Sequence, residues 1–298
     1  MPSKPFYIVD VFAKDKYTGN QLAIFEHCPD LSESEMCRIA REINFSESVF
    51  LAPPQEILDK CARYNIRIFT PTQEIPFAGH PVLGTAYIIQ KQFIKKSVSS
   101  ITLNLAIGQI RVYFEYCGDL VSKLWMEQPD PTFDAIINPN QVLDLLNLTR
   151  LDIVQDLPIQ AVSSGLPFII VPLKNLDAVR RAKILPEKYQ AFIRDSQAKA
   201  ILVYCQETYD NRNDINVRMF APYYGVSEDP ATGSGNGCLA SYLINHDVFC
   251  KDSLDIRVEQ GYEIGRKSLI YLKSQVISNK DQVLIGGSVE MVAKGEFI

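Results

Sequence analysis

The chain has 298 residues, 47% hydrophobic and 22% charged, which is an ordinary composition for a soluble globular protein of about two domains. Its 30 Lys and Arg against 35 Asp and Glu give a net charge of −5, which argues against nucleic acid or an anionic membrane as a partner. The N-terminus has no apolar signal-peptide core, and no apolar run approaches the ~20 residues that span a bilayer, so we expect a cytoplasmic protein.

The first 128 residues predict short strands around two helices. Ser32 and Glu35 have the spacing of a helix capping box, and an apolar stripe at helical spacing follows over residues 36–43. A second helix, over residues 80–89, is apolar on most sides. Apolar runs rich in strand-forming residues predict strands at 6–12, 22–25, 48–51, 63–69, 100–105, 109–115 and 120–126.

The segment 128–131, Gln-Pro-Asp-Pro, breaks regular structure, and we place the boundary between two domains there, at 1–128 and 129–286. The second part predicts a helix at 186–191, which begins with a proline, and an apolar helix at 234–244. Its predicted strands cover 159–162, 167–173, 199–205, 215–220, 254–259, 268–272 and 282–293. The order of strands and helices is irregular in both parts, which is not the alternation of a βαβ protein.

The two parts resemble each other. Arg-Ile-Phe-Thr-Pro at 67–71 is matched by Arg-Met-Phe-Ala-Pro at 218–222, and each is followed by a glycine, Gly79 or Gly233, that opens an apolar helix. A helix that is apolar on all sides must be buried, and a curled sheet around it is the natural packing. The sequence therefore predicts an α+β fold of two pseudo-symmetric lobes, each a curled, mostly antiparallel sheet around a central helix.

The cysteines do not point to a metal or disulfide site. They are Cys28, Cys37, Cys61, Cys117, Cys205, Cys238 and Cys250. The number is odd and no two of them form a Cys-x-x-Cys pair, so neither a disulfide framework nor a structural zinc site is predicted. We expect them to be small buried hydrophobic side chains in a reducing compartment.

The two glycine-led helix starts are candidates for ligand binding. The free N–H groups at such a start form an anion site, and His80 directly follows Gly79. Residues 232–234, Thr-Gly-Ser, suit a second helix start with cap-type side chains, whereas the third glycine of a dinucleotide loop and the lysine of a phosphate loop are missing. On residue types alone, His80 could equally be the cap of a buried helix, and residues 232–237 a simple glycine-rich turn.

One acidic residue is a weaker candidate. Glu47 lies between the first helix and a strand, in the segment Asn-Phe-Ser-Glu-Ser at 44–48. Most glutamates are solvated surface residues. Its position alone therefore does not identify it as catalytic.

Five segments together resemble the phenazine-biosynthesis isomerase (PhzF-like) family, which has the diaminopimelate epimerase fold. They are Asp-Val-Phe at 10–12 with Tyr-Thr-Gly-Asn at 17–20, residues 44–48, Phe-Thr-Pro at 69–71, Pro-Phe-Ala-Gly-His-Pro at 76–81, and Asp-Pro-Ala-Thr-Gly-Ser at 229–234. The resemblance implies an active site in a cleft between the lobes. It also implies a homodimer and a C-terminal strand, 287–298, that joins the first lobe.

The resemblance also implies roles for individual residues. Glu47 matches the catalytic acid/base of the family, and His80 and Asp229 match polar residues that face the substrate. The turns that meet the ligand correspond to Gly79, Thr232, Gly233 and Ser234. Epimerases of this fold use a cysteine from each turn, and here those places hold Ala78 and Thr232.

The resulting hypothesis is an isomerase that uses neither cofactor nor metal and moves a proton within a small carboxylated metabolite. Two alternatives remain open. One is a metabolite-binding protein that keeps the cleft without turnover, which would not need Glu47. The other is an amino-acid epimerase, which the missing thiols oppose.

Overall fold

The computed structural model describes residues 4–26, 28, 30–52, 63–250, 253–277 and 280–298. The strands in these ranges are Lys4–Val11 (β1), Asn20–Phe25 (β2), Glu47–Leu51 (β3), Arg63–Phe69 (β4), Glu74–Ile75 (β5), Ser100–Leu105 (β6), Gly108–Cys117 (β7), Leu120–Glu127 (β8), Thr132–Ile136 (β9), Gln160–Ser163 (β10), Pro167–Pro172 (β11), Ala200–Cys205 (β12), Ile215–Ala221 (β13), Val226–Asp229 (β14), Asp255–Gln260 (β15), Ser268–Ile277 (β16), Lys280–Gly287 (β17) and Val289–Phe297 (β18). The α-helices are Glu33–Ile43 (α1), Gly79–Ile88 (α2), Pro139–Leu145 (α3), Leu176–Arg181 (α4), Pro186–Ile193 (α5) and Gly233–Asn245 (α6).

Two buried helices form the centre of the molecule. All ten residues of α2 and eleven of the thirteen residues of α6 are buried. Strands β1, β2, β3, β6, β7, β8 and β18 surround α2, whereas β10, β11, β16 and β17 contact α6. Strand pairing is mostly antiparallel, with parallel pairs at β2–β3, β4–β6, β11–β12 and β13–β15. The predicted α+β fold of curled sheets around two central helices is confirmed, and the boundary at 128/129 stays a prediction.

The sequence predicts one strand in the C-terminal region, whereas the structure has two. The run 282–293 is divided between β17 and β18, because the chain leaves β8 and β16 after Gly287 and then pairs with β1. Gly287 lies directly against Phe12, and a Cβ on this glycine would come within 2.4 Å of the phenyl ring. The interruption at Gly287 therefore lets the chain leave β8 and β16 and pair with β1.

The burial predicted for the cysteines is partly wrong. Cys28, Cys205 and Cys238 are buried, whereas Cys117 and Cys250 are exposed. Cys117 ends β7, and Cys250 lies in the loop that follows α6. Cys61 lies outside the described residues. Within the described ranges, no helix has the length and apolar character that crossing a bilayer requires.

Helix α1 begins with the predicted capping box. The Ser32 hydroxyl accepts a hydrogen bond from the Glu35 N–H, and the Glu35 carboxylate accepts one from the Ser32 N–H at 2.9 Å. Leu31 and Met36 lie in one hydrophobic cluster beneath the helix. These contacts fix α1 beside β3, the strand that begins with Glu47.

Replacing Ser32 with Ala should lower the free energy of unfolding by about 1 kcal/mol, because a first-turn N–H loses its acceptor. Urea unfolding monitored by circular dichroism measures this change. Ser34→Ala, at an exposed position of the same helix, is the matched control and should change stability little. Equal losses in both variants would contradict a specific capping role for Ser32.

Candidate active site

The N-termini of α2 and α6 meet through two glycines. A Cβ on Gly79 would lie 2.5 Å from the Gly233 Cα and 2.7 Å from the Ser234 backbone nitrogen. A Cβ on Gly233 would come within 2.8 Å of the Gly79 Cα. The backbones can therefore approach this closely only where both positions lack a side chain. The structure thus brings together three of the residues that the sequence assigned to ligand binding.

Neither helix start carries a side-chain cap. The N-cap residues are Ala78 and Thr232, and neither side chain bonds to a first-turn N–H. The expectation that Thr232 caps α6 is wrong, because its hydroxyl donates to Asp229 Oδ2 at 2.6 Å instead. Two helix N-termini that face one cleft without caps are suited to bind an anionic group.

Glu47 lies in the same cleft and beside His80. It is the first residue of β3, and its Oε2 atom is 3.5 Å from His80 Nε2. Both atoms are buried without a hydrogen-bond partner. Asp229, the last residue of β14, also lines this cleft. The three residues that the sequence placed in the catalytic group therefore lie together.

Asp229 is held by three donors. Asn20 Nδ2 and Ser46 Oγ donate to Oδ1 at 2.8 and 2.9 Å, and Thr232 donates to Oδ2. Asn20 Nδ2 is also 3.1 Å from His80 Nδ1 and 2.9 Å from the Ala231 carbonyl oxygen. Asn20 thereby connects the aspartate to the histidine.

Gln260 completes the support around Asp229. Its Nε2 atom donates to the Asp229 carbonyl oxygen at 2.8 Å and to the Thr232 hydroxyl at 3.0 Å. Its Oε1 atom accepts from the Thr232 N–H and from Asn236 Nδ2. Sequence reasoning assigned no role to Asn20, Ser46 or Gln260. The first two stand inside the recognised segments, next to Gly19 and Glu47, whereas Gln260 has no local signal.

Burial sets the protonation of the three groups. It raises the pKa of Glu47 well above its ordinary value, and the nearby Asp229 charge raises it further. Burial also raises the pKa of Asp229, to about 6, against the hydrogen bonds from Thr232, Ser46 and Asn20 that lower it. It lowers the pKa of His80 to about 3, which a backbone hydrogen bond with Gln21 opposes. Burial therefore keeps the His80 imidazole neutral at neutral pH and raises the pKa of both carboxyl groups, which lie close enough to influence each other.

The rest of the cleft is mainly apolar. It encloses about 480 Å³, including open solvent at its mouth. Its apolar lining is formed by Ile75, Phe77, Leu166, Phe168, Met219, Tyr224 and Val226. An apolar wall that faces a few polar groups suits a small ligand with one hydrophobic face.

Among the described residues, no cysteine lines the cleft. Cys238 lies in α6 beside Ser164, and burial raises the pKa of its thiol to about 11. The structure also shows, in the same described ranges, no group of three or more His, Cys, Asp or Glu residues placed to hold a metal ion. The titratable side chains that line the cleft are those of Glu47, His80, Asp229 and Tyr224 among the described residues.

Comparison with known proteins gives whole-chain matches. A family model described as phenazine biosynthesis-like protein, PhzC-PhzF, matches residues 9–295. Trans-2,3-dihydro-3-hydroxyanthranilate isomerase of Pseudomonas aeruginosa is 34% identical over 291 residues, which cover 97% of this chain and 98% of that protein.

Solved structures share the fold. The phenazine biosynthesis protein of the PhzF family from Bacillus anthracis superposes with a TM-score of 0.87 at 27% identity, over 100% of both chains. A probable proline racemase from Agrobacterium radiobacter gives a TM-score of 0.61 at 12% identity, over 99% of this chain and 93% of that one. The second likeness concerns the fold alone, and it agrees with the epimerase-type architecture.

Proposed function

The chain belongs to the phenazine biosynthesis-like (PhzC-PhzF) family, whose curated relatives are named isomerases, and we propose that it isomerises a small carboxylated metabolite with Glu47 as the acid/base. The observation that carries this proposal is the position of Glu47, which lies 3.5 Å from His80 in the cleft where two helix N-termini meet. A protein that only binds a metabolite has no need of a largely buried carboxyl group with a raised pKa.

The helix N-termini bind the negatively charged carboxylate of the substrate. First-turn N–H groups of α2 and α6 hold the substrate carboxylate and stabilise the negative charge that develops beside it when a proton leaves carbon. His80 stays neutral, so it acts as a hydrogen-bonding group rather than as a cation. Asp229 is fixed by its three donors and faces the same space.

Glu47 then moves the proton. Its carboxylate takes a proton from one carbon of the substrate and returns it to another carbon on the same face. A group that must be both base and acid works best when its pKa lies near the working pH, and burial raises the pKa of Glu47 in that direction. Charge and atoms balance within the substrate, so the step needs no redox partner.

A substrate screen tests the proposal. The first compound is trans-2,3-dihydro-3-hydroxyanthranilate, the substrate in the name of the Pseudomonas aeruginosa relative, followed by small cyclic amino acids and hydroxy acids. NMR in deuterated buffer reports both rearrangement and any deuterium placed on carbon. We expect at least one compound to be isomerised by the wild type. Compounds that bind and remain unchanged would favour the non-catalytic binding protein.

Activity should survive removal of metal ions. The proposed chemistry uses a carboxyl group and backbone N–H groups, so dialysis against EDTA should leave the turnover rate unchanged, and no nucleotide should be needed. The rate before and after dialysis is the measurement, with a mock-dialysed sample as the control. A loss of rate that a divalent metal restores would refute the cofactor-independent assignment.

The oligomeric state is a further prediction. We expect a homodimer from the family resemblance, and closed two-fold dimers are the commonest protein assembly. Light scattering at micromolar concentration should give twice the chain mass of 33.6 kDa. A mass equal to that of one chain would overturn this expectation.

A further inference from the structure

One turn contacts both strand ends that supply the polar centre of the site. This turn, residues 261–267, connects β15 to β16. On one side, the carbonyl oxygen of Lys267 accepts a hydrogen bond from the Gly19 N–H at 3.0 Å. On the other, Gly261 packs on Pro230, and a Cβ there would lie 2.6 Å from the Pro230 carbonyl oxygen. The turn thus touches the residues next to Asn20 and Asp229.

Arg266 is one of three charged residues in this turn, with Glu263 and Lys267, and its side chain binds the strand end at Asn20. Its Nε atom donates to the Gly19 carbonyl oxygen at 3.0 Å, and its Nη2 atom donates to the Thr18 carbonyl oxygen at 2.8 Å. The same Nη2 atom is 2.7 Å from Asp10 Oδ1. The Asp10 side chain is 2% exposed and that of Arg266 is 19% exposed, so water screens this ion pair little.

These contacts determine where Asn20 lies. Asn20 directly follows Gly19, which has a positive φ of 68°, and a Cβ on Gly19 would lie 2.4 Å from the Val11 carbonyl oxygen. Arg266 therefore fixes the last two residues before Asn20, while the 261–267 turn packs against the residue after Asp229. The hydrogen bond from Asn20 to Asp229 joins residues 209 positions apart, and its geometry depends on both fixed segments.

We infer that Arg266 is a positioning residue of the isomerase site, which keeps Asn20 in hydrogen-bonding contact with Asp229 and His80. The expected loss of turnover rests on the proposed function. The expected change in the position of Asn20 rests on the contacts of Arg266 alone. Arg266 does not line the cleft and so acts only through Asn20.

Arg266→Lys separates positioning from charge. Lysine keeps a positive charge beside the buried Asp10, so the fold should survive. It lacks the planar fork of arginine, and a single ammonium group cannot reproduce the directed bonds to Asp10 and Gly19 together. The matched control is Arg181→Lys, since Arg181 forms surface ion pairs with Asp152 and Asp177 and is 48% exposed.

The first measurement needs no substrate. ¹³C NMR follows the titration of the Asp229 carboxyl group in a Glu47→Gln background, so that the neighbouring Glu47 does not titrate. The neighbouring Glu228 and the cleft-lining His80 and Tyr224 are also titratable, and all three are present in every sample. A weaker bond from Asn20 stabilises the carboxylate less, so Arg266→Lys should move the titration midpoint to higher pH. The Arg181→Lys control should titrate like the reference.

The second measurement is kinetic and uses the substrate found in the screen. Arg266→Lys should lower kcat by about tenfold and change KM by less than about twofold, because misplaced catalytic groups reduce turnover more than ground-state binding. Unchanged kcat together with an unchanged Asp229 midpoint overturns the inference. If no compound is turned over, the proposed function fails, and the NMR titration alone decides whether Arg266 positions Asn20.

A second variant covers the case in which Arg266→Lys does not fold. Asp10→Asn removes the charge that orients the guanidinium and changes the size of the side chain little. It should move the Asp229 midpoint in the same direction by a smaller amount. An Asp229 midpoint equal to that of the reference in a folded Asp10→Asn protein would overturn the inference.

Discussion

Replacing Glu47 with Gln should lower kcat by about 10²-fold or more while the protein folds and binds ligand as before. Glutamine keeps the shape of the side chain and can still form hydrogen bonds. It cannot accept a proton at ordinary pH, so the transfer from carbon has no base. The substitution also removes a largely buried ionisable group, so a loss of stability is not expected to accompany the loss of turnover.

Steady-state kinetics on the substrate found in the screen measure this effect, with thermal unfolding as the check on folding. Glu42→Gln, at an exposed position of α1, is the matched control and should keep the wild-type rate. A Glu47→Gln protein that turns over substrate near the wild-type rate would show that another group carries the proton.

Local patterns predicted the elements that depend on local chemistry. The capping box at Ser32 and Glu35 needs only residues three apart, and it is present with both hydrogen bonds. The apolar character of residues 80–89 and 234–244 predicted helices that bury nearly every side chain, and α2 and α6 do so. The curled sheet followed from these helices, because a helix that is apolar on all sides needs cover on all sides.

The support around the candidate site could not be predicted in this way. The bond from Asn20 to Asp229 joins residues 209 positions apart, and Arg266 reaches Asp10 across 256 positions. Contacts between residues so far apart in the chain leave no periodic pattern and no fixed spacing in the sequence. Glu47 itself became a candidate only through the family segments, since an isolated glutamate beside a strand is ordinarily solvated. Its burial depends on α2 and β14, which arrive from distant parts of the chain.

Replacing Gly79 with Ala should damage both stability and activity. The new methyl group would stand 2.5 Å from the Gly233 Cα and 2.7 Å from the Ser234 backbone nitrogen, and backbone cannot rotate out of the way as a flexible side chain can. Overpacking of this kind costs about 1–3 kcal/mol of unfolding free energy. The fold can relieve this steric overlap by moving the two helix N-termini apart.

That separation should lower kcat/KM by about 10²-fold, because the N–H groups of the two helix starts would no longer converge on one carboxylate. Gly233→Ala places its methyl group 2.8 Å from the Gly79 Cα, so it should act in the same direction. Gly118→Ala is the control for backbone strain, since Gly118 has a φ of 61° but no atom within 4 Å of its added Cβ.

Comparison of Gly79→Ala, Gly233→Ala and Gly118→Ala separates the effect of the helix-start contact from that of backbone strain. Gly118→Ala should lose stability through its left-handed backbone and keep wild-type kcat/KM, whereas both helix-start variants should lose kcat/KM as well. Thermal unfolding and steady-state kinetics on the same preparations give the two readouts. A Gly79→Ala protein with normal kcat/KM would mean that the helix starts need not touch for the site to work. The substrate carboxylate would then have to be bound by other groups of the cleft.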